Sequence, residues 1–142
     1  MYRKEIPRAI RKKVEQARVA RLATVDAKLR PHIVPVCFAY DGKVFYTAID
    51  QKPKRVVPER LTRLRNILAV PEVALLIDQY EEDWQRLWWI RLRGRARVLD
   101  HGPEREHALS LLAEKYPQYA DAPPDGPVLA IDIAQVRSWA AT

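Results

Sequence analysis

Glycine is scarce in this chain, at four residues in 142 beside eleven prolines. That shortage leaves neither a flexible linker nor a Gly-rich loop for phosphates, which excludes a dinucleotide-binding Rossmann fingerprint and a Walker loop. Cysteine occurs once, at Cys37. One thiol cannot form an intrachain disulfide or a structural zinc site, and a reducing cytoplasm is the expected compartment. The apolar runs are short and broken by charge, and the opening Met-Tyr-Arg-Lys-Glu-Ile-Pro has no apolar signal core, so neither export nor a membrane span is expected. Histidine is thin as well. His32, His101 and His107 are far apart, with no Ser-His-Asp order, and only Glu104/His107 shows a metal-like spacing. Any reactive atom is therefore expected to come from a bound cofactor.

What is present suits one globular domain over residues 1–142. Hydrophobic residues make up 48% of the chain, enough for an autonomous core at this length. The net charge of +7 and a pI near 9.8 point to an anionic partner, whether nucleic acid, membrane or phosphorylated small molecule.

Apolar residues at Ile6, Ala9, Ile10, Val14 and Ala17 predict an amphipathic helix with a basic outer face. The period then changes to two. Val19–Val25, His32–Tyr40 and Lys43–Ile49 read as strands, the last two joined by Asp41-Gly42, a strong hairpin signal. A helix from about Glu59 places Leu61, Leu64, Ile67 and Leu68 on one face and stops before Pro71. Strands over Glu72–Tyr80 and Leu87–Leu99, a helix from Pro103 to about Tyr116, a Pro-rich loop over 121–127 and a last strand Val128–Val136 complete the chain. Six strands without strict strand-helix alternation predict a closed antiparallel barrel with flanking helices rather than a parallel sheet.

Three clusters carry possible chemistry. Lys52, Lys54, Arg55, Arg60, Arg63 and Arg65, offset only by Glu59, give a local charge of +5. They form a phosphate site, a solvated basic helix face or a nucleic-acid patch, the last disfavoured because no aromatics interleave with the cations. On Leu87–Leu99 the two-residue period puts Trp89, Arg91, Arg93, Arg95 and Arg97 on one side and Trp88, Ile90, Leu92, Gly94, Ala96 and Val98 on the other, which is the core side. Four like charges in a row repel unless water, carboxylates or an anionic ligand face them. Trp84, Trp88 and Trp89 gather with Tyr80 near an acidic turn, as aromatic surface for core packing or for stacking on a planar ring.

The run Ala20-Arg21-Leu22-Ala23-Thr24-Val25, then Arg30-Pro31-His32-Ile33-Val34-Pro35-Val36-Cys37-Phe38-Ala39 and Asp41-Gly42-Lys43-Val44-Phe45-Tyr46-Thr47-Ala48, resembles the split-barrel flavin and deazaflavin oxidoreductases related to pyridoxamine 5′-phosphate oxidase. Lys52-Pro53-Lys54-Arg55, Leu64-Arg65-Asn66-Ile67 and Pro71-Glu72-Val73-Ala74-Leu75-Leu76 are similar to that family's phosphate segment and following strand. Asp83-Trp84 and Leu87-Trp88-Trp89-Ile90-Arg91 with Gly94 and Ala96 are similar to the subgroup that uses coenzyme F-420.

The resemblance implies a six-stranded split barrel and a homodimer with cofactor sites at the subunit interface. By the same resemblance the ring system lies against Val34–Phe38, including Val34, Pro35 and Val36, and against Phe45–Ala48. Thr47, Lys54 and Arg55 are implied phosphate contacts, with Lys52, Arg63 and Arg65 as second choices; Trp88, whose expected role is core packing, is a further cofactor-binding candidate. F-420, with flavin mononucleotide (FMN) as the alternative, would exchange hydride with a small-molecule substrate; a carrier of flavin or haem without turnover is the competing reading. Tyr40, Tyr46 and His32 are proton-donor candidates by residue type. The glycine usual in the first hairpin turn is replaced here by Lys28-Leu29.

Overall fold

The computed structural model describes residues 4–49 and 58–142, the first four of the second stretch by backbone alone. Its elements in chain order are α1 (Arg8–Gln16), β1 (Ala20–Val25), β2 (Pro31–Val36), β3 (Ala39–Tyr40), β4 (Val44–Ala48), α2 (Pro58–Ala69), β5 (Glu72–Gln79), a 3-10 turn (Trp84–Arg86), β6 (Trp88–Leu99), α3 (Pro103–Lys115), α4 (Pro117–Asp121) and β7 (Val128–Ala140).

One antiparallel sheet runs in the order β2-β1-β5-β6-β7-β4-β3. Its two edges, β2 and β3, are separated in the chain only by Cys37 and Phe38. Two residues span less than about 11 Å, so a seven-stranded sheet can satisfy that link only by rolling up. The result is an antiparallel half-barrel with flanking helices, split where β2 and β3 fail to pair.

The expected strand His32–Tyr40 therefore breaks at a corner, which makes seven strands where the sequence predicted six. The barrel is also not closed by hydrogen bonds. Thr47 holds the corner: its hydroxyl donates to the Cys37 carbonyl at 2.7 Å.

Alternation on β6 falls as its period requires. Ile90, Leu92 and Ala96 are buried in the barrel core with Leu22, Leu75, Ile77 and Ile131, and Trp88 and Val98 pack against it. α1 seals this core with Val14, and α2 seals it with Ile67. A second apolar cluster lies outside, where Ala108, Leu112 and Tyr116 of α3 meet Tyr46, Ala48 and Ala130.

Gly94 sits at the irregularity where β7 carries one extra residue, Ala134, against β6. A Cβ there would overlap the carbonyl oxygen of Asp132. The strands thus approach more closely at this point than any side chain allows.

Two turns solve the same problem differently. At Asp41-Gly42 a glycine takes the positive φ of 99°. At Lys28-Leu29 it is Leu29 that sits in the left-handed region, at φ 63°. The Asp26 carboxylate holds that turn by accepting from the Lys28 and Arg30 amides at 2.9 and 3.0 Å and from the Arg30 Nε at 2.7 Å.

The helices differ from expectation in two places. Leu68 points outward at 68% exposure, and the buried face of α2 is instead Arg63, Asn66 and Ile67. Asn66 donates to Thr24 Oγ1 at 3.0 Å, which gives that face a polar anchor against β1. A short helix, α4, and four further residues of β7 extend regular structure beyond the predicted limits.

Candidate functional site

Pro35 and Val36 at the end of β2, Cys37 in the corner, Thr47 and Ala48 at the end of β4, Arg63 of α2 and Tyr119 of α4 line one pocket of about 170 Å³. The corner explains the convergence, because it carries the end of β2 over the end of β4. α2 then places Arg63 at the same point, with its side chain only 6% exposed. Buried arginine is rare because its charge cannot be shed. Among the described residues no carboxylate lines this pocket.

Four of the expected site residues, Pro35, Val36, Thr47 and Arg63, come together here. Val34 packs against the barrel core and does not line the pocket. Arg65, two residues beyond Arg63 on the helix, is exposed. Trp88 lies at the far end of β6, with the Lys13 ammonium 5.2 Å from its ring centre. Lys52, Lys54 and Arg55 fall outside the described residues.

Thr47 is almost wholly buried, and its hydroxyl proton is committed to the Cys37 carbonyl. In this arrangement it can accept but not donate, so an anion would draw its donors from Arg63 and backbone amides. Cys37 and Ala48 also line the pocket and fall within the two segments, Val34–Phe38 and Phe45–Ala48, that the resemblance implied. Tyr119 is a lining residue that the sequence did not single out, and no local pattern marked it.

The proton-donor candidates lie elsewhere. The Tyr46 hydroxyl points to α3 and donates to Glu104 at 2.9 Å. Burial, and then that carboxylate, push its phenol well above the usual range. The Tyr40 hydroxyl accepts from the Ile6 amide at 3.0 Å, and burial raises it too. His32 is half-buried on β2, and it does not line the pocket either.

The cation ladder resolves into two halves. Arg97 donates to Asp132 at 2.6 and 3.1 Å and to both oxygens of Glu104 at 2.8 and 2.9 Å. Arg95 reaches Glu72 at 3.6 Å. At the other end Arg91 borders a groove of about 420 Å³ with Leu76, Tyr80, Trp89 and Trp139. Among the described residues no group of three His, Cys, Asp or Glu side chains is placed to hold a metal ion, and no helix is long and apolar enough to cross a membrane.

The sequence signature described as pyridoxamine 5′-phosphate oxidase matches residues 6–140. The chain belongs to that flavin-binding family. No curated protein sequence matches it. Among solved structures, the family member resembles a conserved hypothetical protein of Mycobacterium tuberculosis at TM-score 0.73 and 18% identity, covering 96% of this chain and 86% of that one. It resembles HutZ, the heme storage protein of Vibrio cholerae, at TM-score 0.72 and 16% identity, covering 96% and 95%. An F-420 reductase aligns at TM-score 0.65 and 22% identity, covering 93% and 98%. At these identities the likeness is one of fold, and the fold serves oxidoreductases and heme-storage proteins alike.

Proposed function

We propose that this family member is an oxidoreductase that holds the phosphate of coenzyme F-420 in the Arg63 pocket. The observation that carries the reading is a buried arginine, Arg63 at 6% exposure, lining one pocket with the ends of β2 and β4, at the place where the family resemblance puts the cofactor's anionic end. The volume of about 170 Å³ is smaller than a whole small-molecule site, commonly ~300–1,000 Å³, so the ring extends beyond it along the exposed edge at Pro35.

When bound, the deazaflavin supplies the hydride that an organic acceptor receives. The chain's own task is to grip one end, present a flat ring and exclude water. F-420 is preferred to FMN because its phosphodiester and glutamate tail suit a protein of net charge +7 with further exposed cations such as Arg65.

The partner is a second copy of the chain. On the outer sheet face Ile33, Ala23 and Ala74 stand in one cross-strand row, with Ile33 63% exposed. An apolar row of this kind supports a covering protomer, which would also shield the ring.

Titration of the protein with F-420 and with FMN, followed by fluorescence, tests the reading. Arg63→Gln is expected to weaken F-420 binding about tenfold or more, the worth of one charge-assisted hydrogen-bonding group. Unchanged affinity in a folded Arg63→Gln variant removes the pocket from the site. Tighter binding of FMN than of F-420 keeps the pocket and overturns the choice of cofactor. A monomer by sedimentation overturns the dimer.

A further inference from the structure

Every contact implied by the family resemblance falls between Val34 and Trp88, whereas Tyr119 reaches the Arg63 pocket from α4. Its place there has a local cause. Pro117 cannot continue α3 and keeps the residue before it extended, so α3 ends at Tyr116 and a new short helix begins. The Tyr119 amide donates to the Tyr116 carbonyl at 2.9 Å, and the spacing of three brings the two rings together edge-on, with centres 5.7 Å apart.

Tyr116 is in turn fixed to the barrel. It is buried, and its hydroxyl accepts from the Phe38 amide at 3.1 Å and donates to the Arg18 carbonyl at 2.9 Å. Phe38 belongs to the corner that carries Cys37, the residue whose carbonyl accepts from Thr47. One buried tyrosine therefore joins the corner to α4 and holds the Tyr119 ring at the pocket, although α4 itself buries no residue.

The donors left to the pocket give the phenol a role. Pro35, Val36 and Ala48 carry no side-chain donor, and the Thr47 hydroxyl proton is committed. Beside the Arg63 guanidinium, the Tyr119 phenol is the strong side-chain donor among the described lining residues, since the Cys37 thiol is a weak one.

We infer that Tyr119 is a direct contact of the cofactor's phosphate, its phenol O–H donating to a phosphate oxygen beside Arg63, and that it makes the site prefer phosphate-bearing cofactors to the bare ring. The inference rests on the cofactor reading above and adds Tyr119 to its donors. A hydrogen bond to a charged acceptor is about twice as strong as a neutral one, so the contribution appears only when the ligand carries the phosphate.

Fluorescence titration of the whole protein with F-420 and with the deazaflavin that lacks phosphate and tail tests this; FMN and riboflavin form the equivalent pair should FMN be the tighter cofactor. Tyr119→Phe keeps the ring against Tyr116 and removes only the donor. It is expected to weaken F-420 about tenfold and to leave the phosphate-free deazaflavin unchanged, so that the ratio of the two affinities falls about tenfold. A role in packing alone would weaken both ligands equally. An unchanged ratio overturns the inference, and if Arg63→Gln still weakens F-420 the cofactor reading survives that failure. Wild-type protein that binds F-420 and FMN no better than their phosphate-free counterparts overturns both.

Discussion

The two ends of β6 carry the same residue type on the same side of the strand, yet they are built for different purposes. At one end Arg97 is enclosed by Asp132 and Glu104, and Glu104 also receives the Tyr46 hydroxyl. Burial opposes its charge, but these two carboxylates outweigh it and hold the guanidinium protonated well beyond the ordinary range. At the other end Arg91 meets aromatic rings, and no carboxylate is hydrogen-bonded to it among the described residues. A charge that is closed by partners holds structure together; the same charge left open on the outer sheet face is available to the protomer proposed to cover it.

The comparison can be broken at its strong end first. Arg97→Met leaves the Asp132 and Glu104 carboxylates facing each other, Asp132 at 7% exposure, without a cation. Stability to urea is expected to fall by about 2 kcal/mol, between the losses for an exposed and a fully buried pair, because Arg97 and Glu104 are each partly open to solvent. A loss below about 1 kcal/mol would show that the cluster is solvated like an ordinary surface pair.

The join between the two ends is the next target. Gly94→Ala forces β6 away from the Asp132 carbonyl, and a cost of about 2 kcal/mol is expected from thermal unfolding. An unchanged midpoint would mean that the strands separate freely at the irregularity.

Lys115 sharpens the contrast from a third position. Its ammonium sits 3.7 Å from the Phe38 ring centre, buried without a hydrogen-bond acceptor among the described residues. Burial, and then the nearby Arg18 charge, pull it down to about 8. Between pH 8 and the ordinary lysine range, the unfolded chain holds a proton that the folded chain has released, so this residue makes stability rise with pH across that window. Lys115→Met is expected to raise stability at pH 7 by about 1 kcal/mol and to flatten the rise between pH 8 and 10. Urea melts at the two pH values check both.

The smallest effect belongs to the open end. Arg91→Gln is expected to change stability by less than about 0.5 kcal/mol, because no ion pair is lost. A destabilisation comparable to that of Arg97→Met would erase the distinction between the two halves of the ladder.

Much of this was legible in the residues. The alternation on β6 told core side from outer side, Pro71 ended α2 and Asp41-Gly42 made the β3–β4 hairpin, since each is a local rule of period or turn chemistry. Leu68 and Arg63 were not legible in the same way. A helical wheel favours leucine inside, but α2 buries Arg63, Asn66 and Ile67 because the polar contact of Asn66 with Thr24 fixes its rotation against β1.

The sequence by itself therefore determined the family, the antiparallel strands and the excess of cations from which an anion site could be drawn. Only the tertiary structure decided which cations serve which end. The corner at Cys37-Phe38 carries the end of β2 over β4 and so makes the Arg63 pocket, while carboxylates from α3 and β7 close on Arg97 and leave Arg91 to its groove. Sequence spacing encodes neighbours three or four residues away on a helix and two away on a strand. Contacts between β6, β7 and α3 join residues that are distant in the chain, and no local pattern records them.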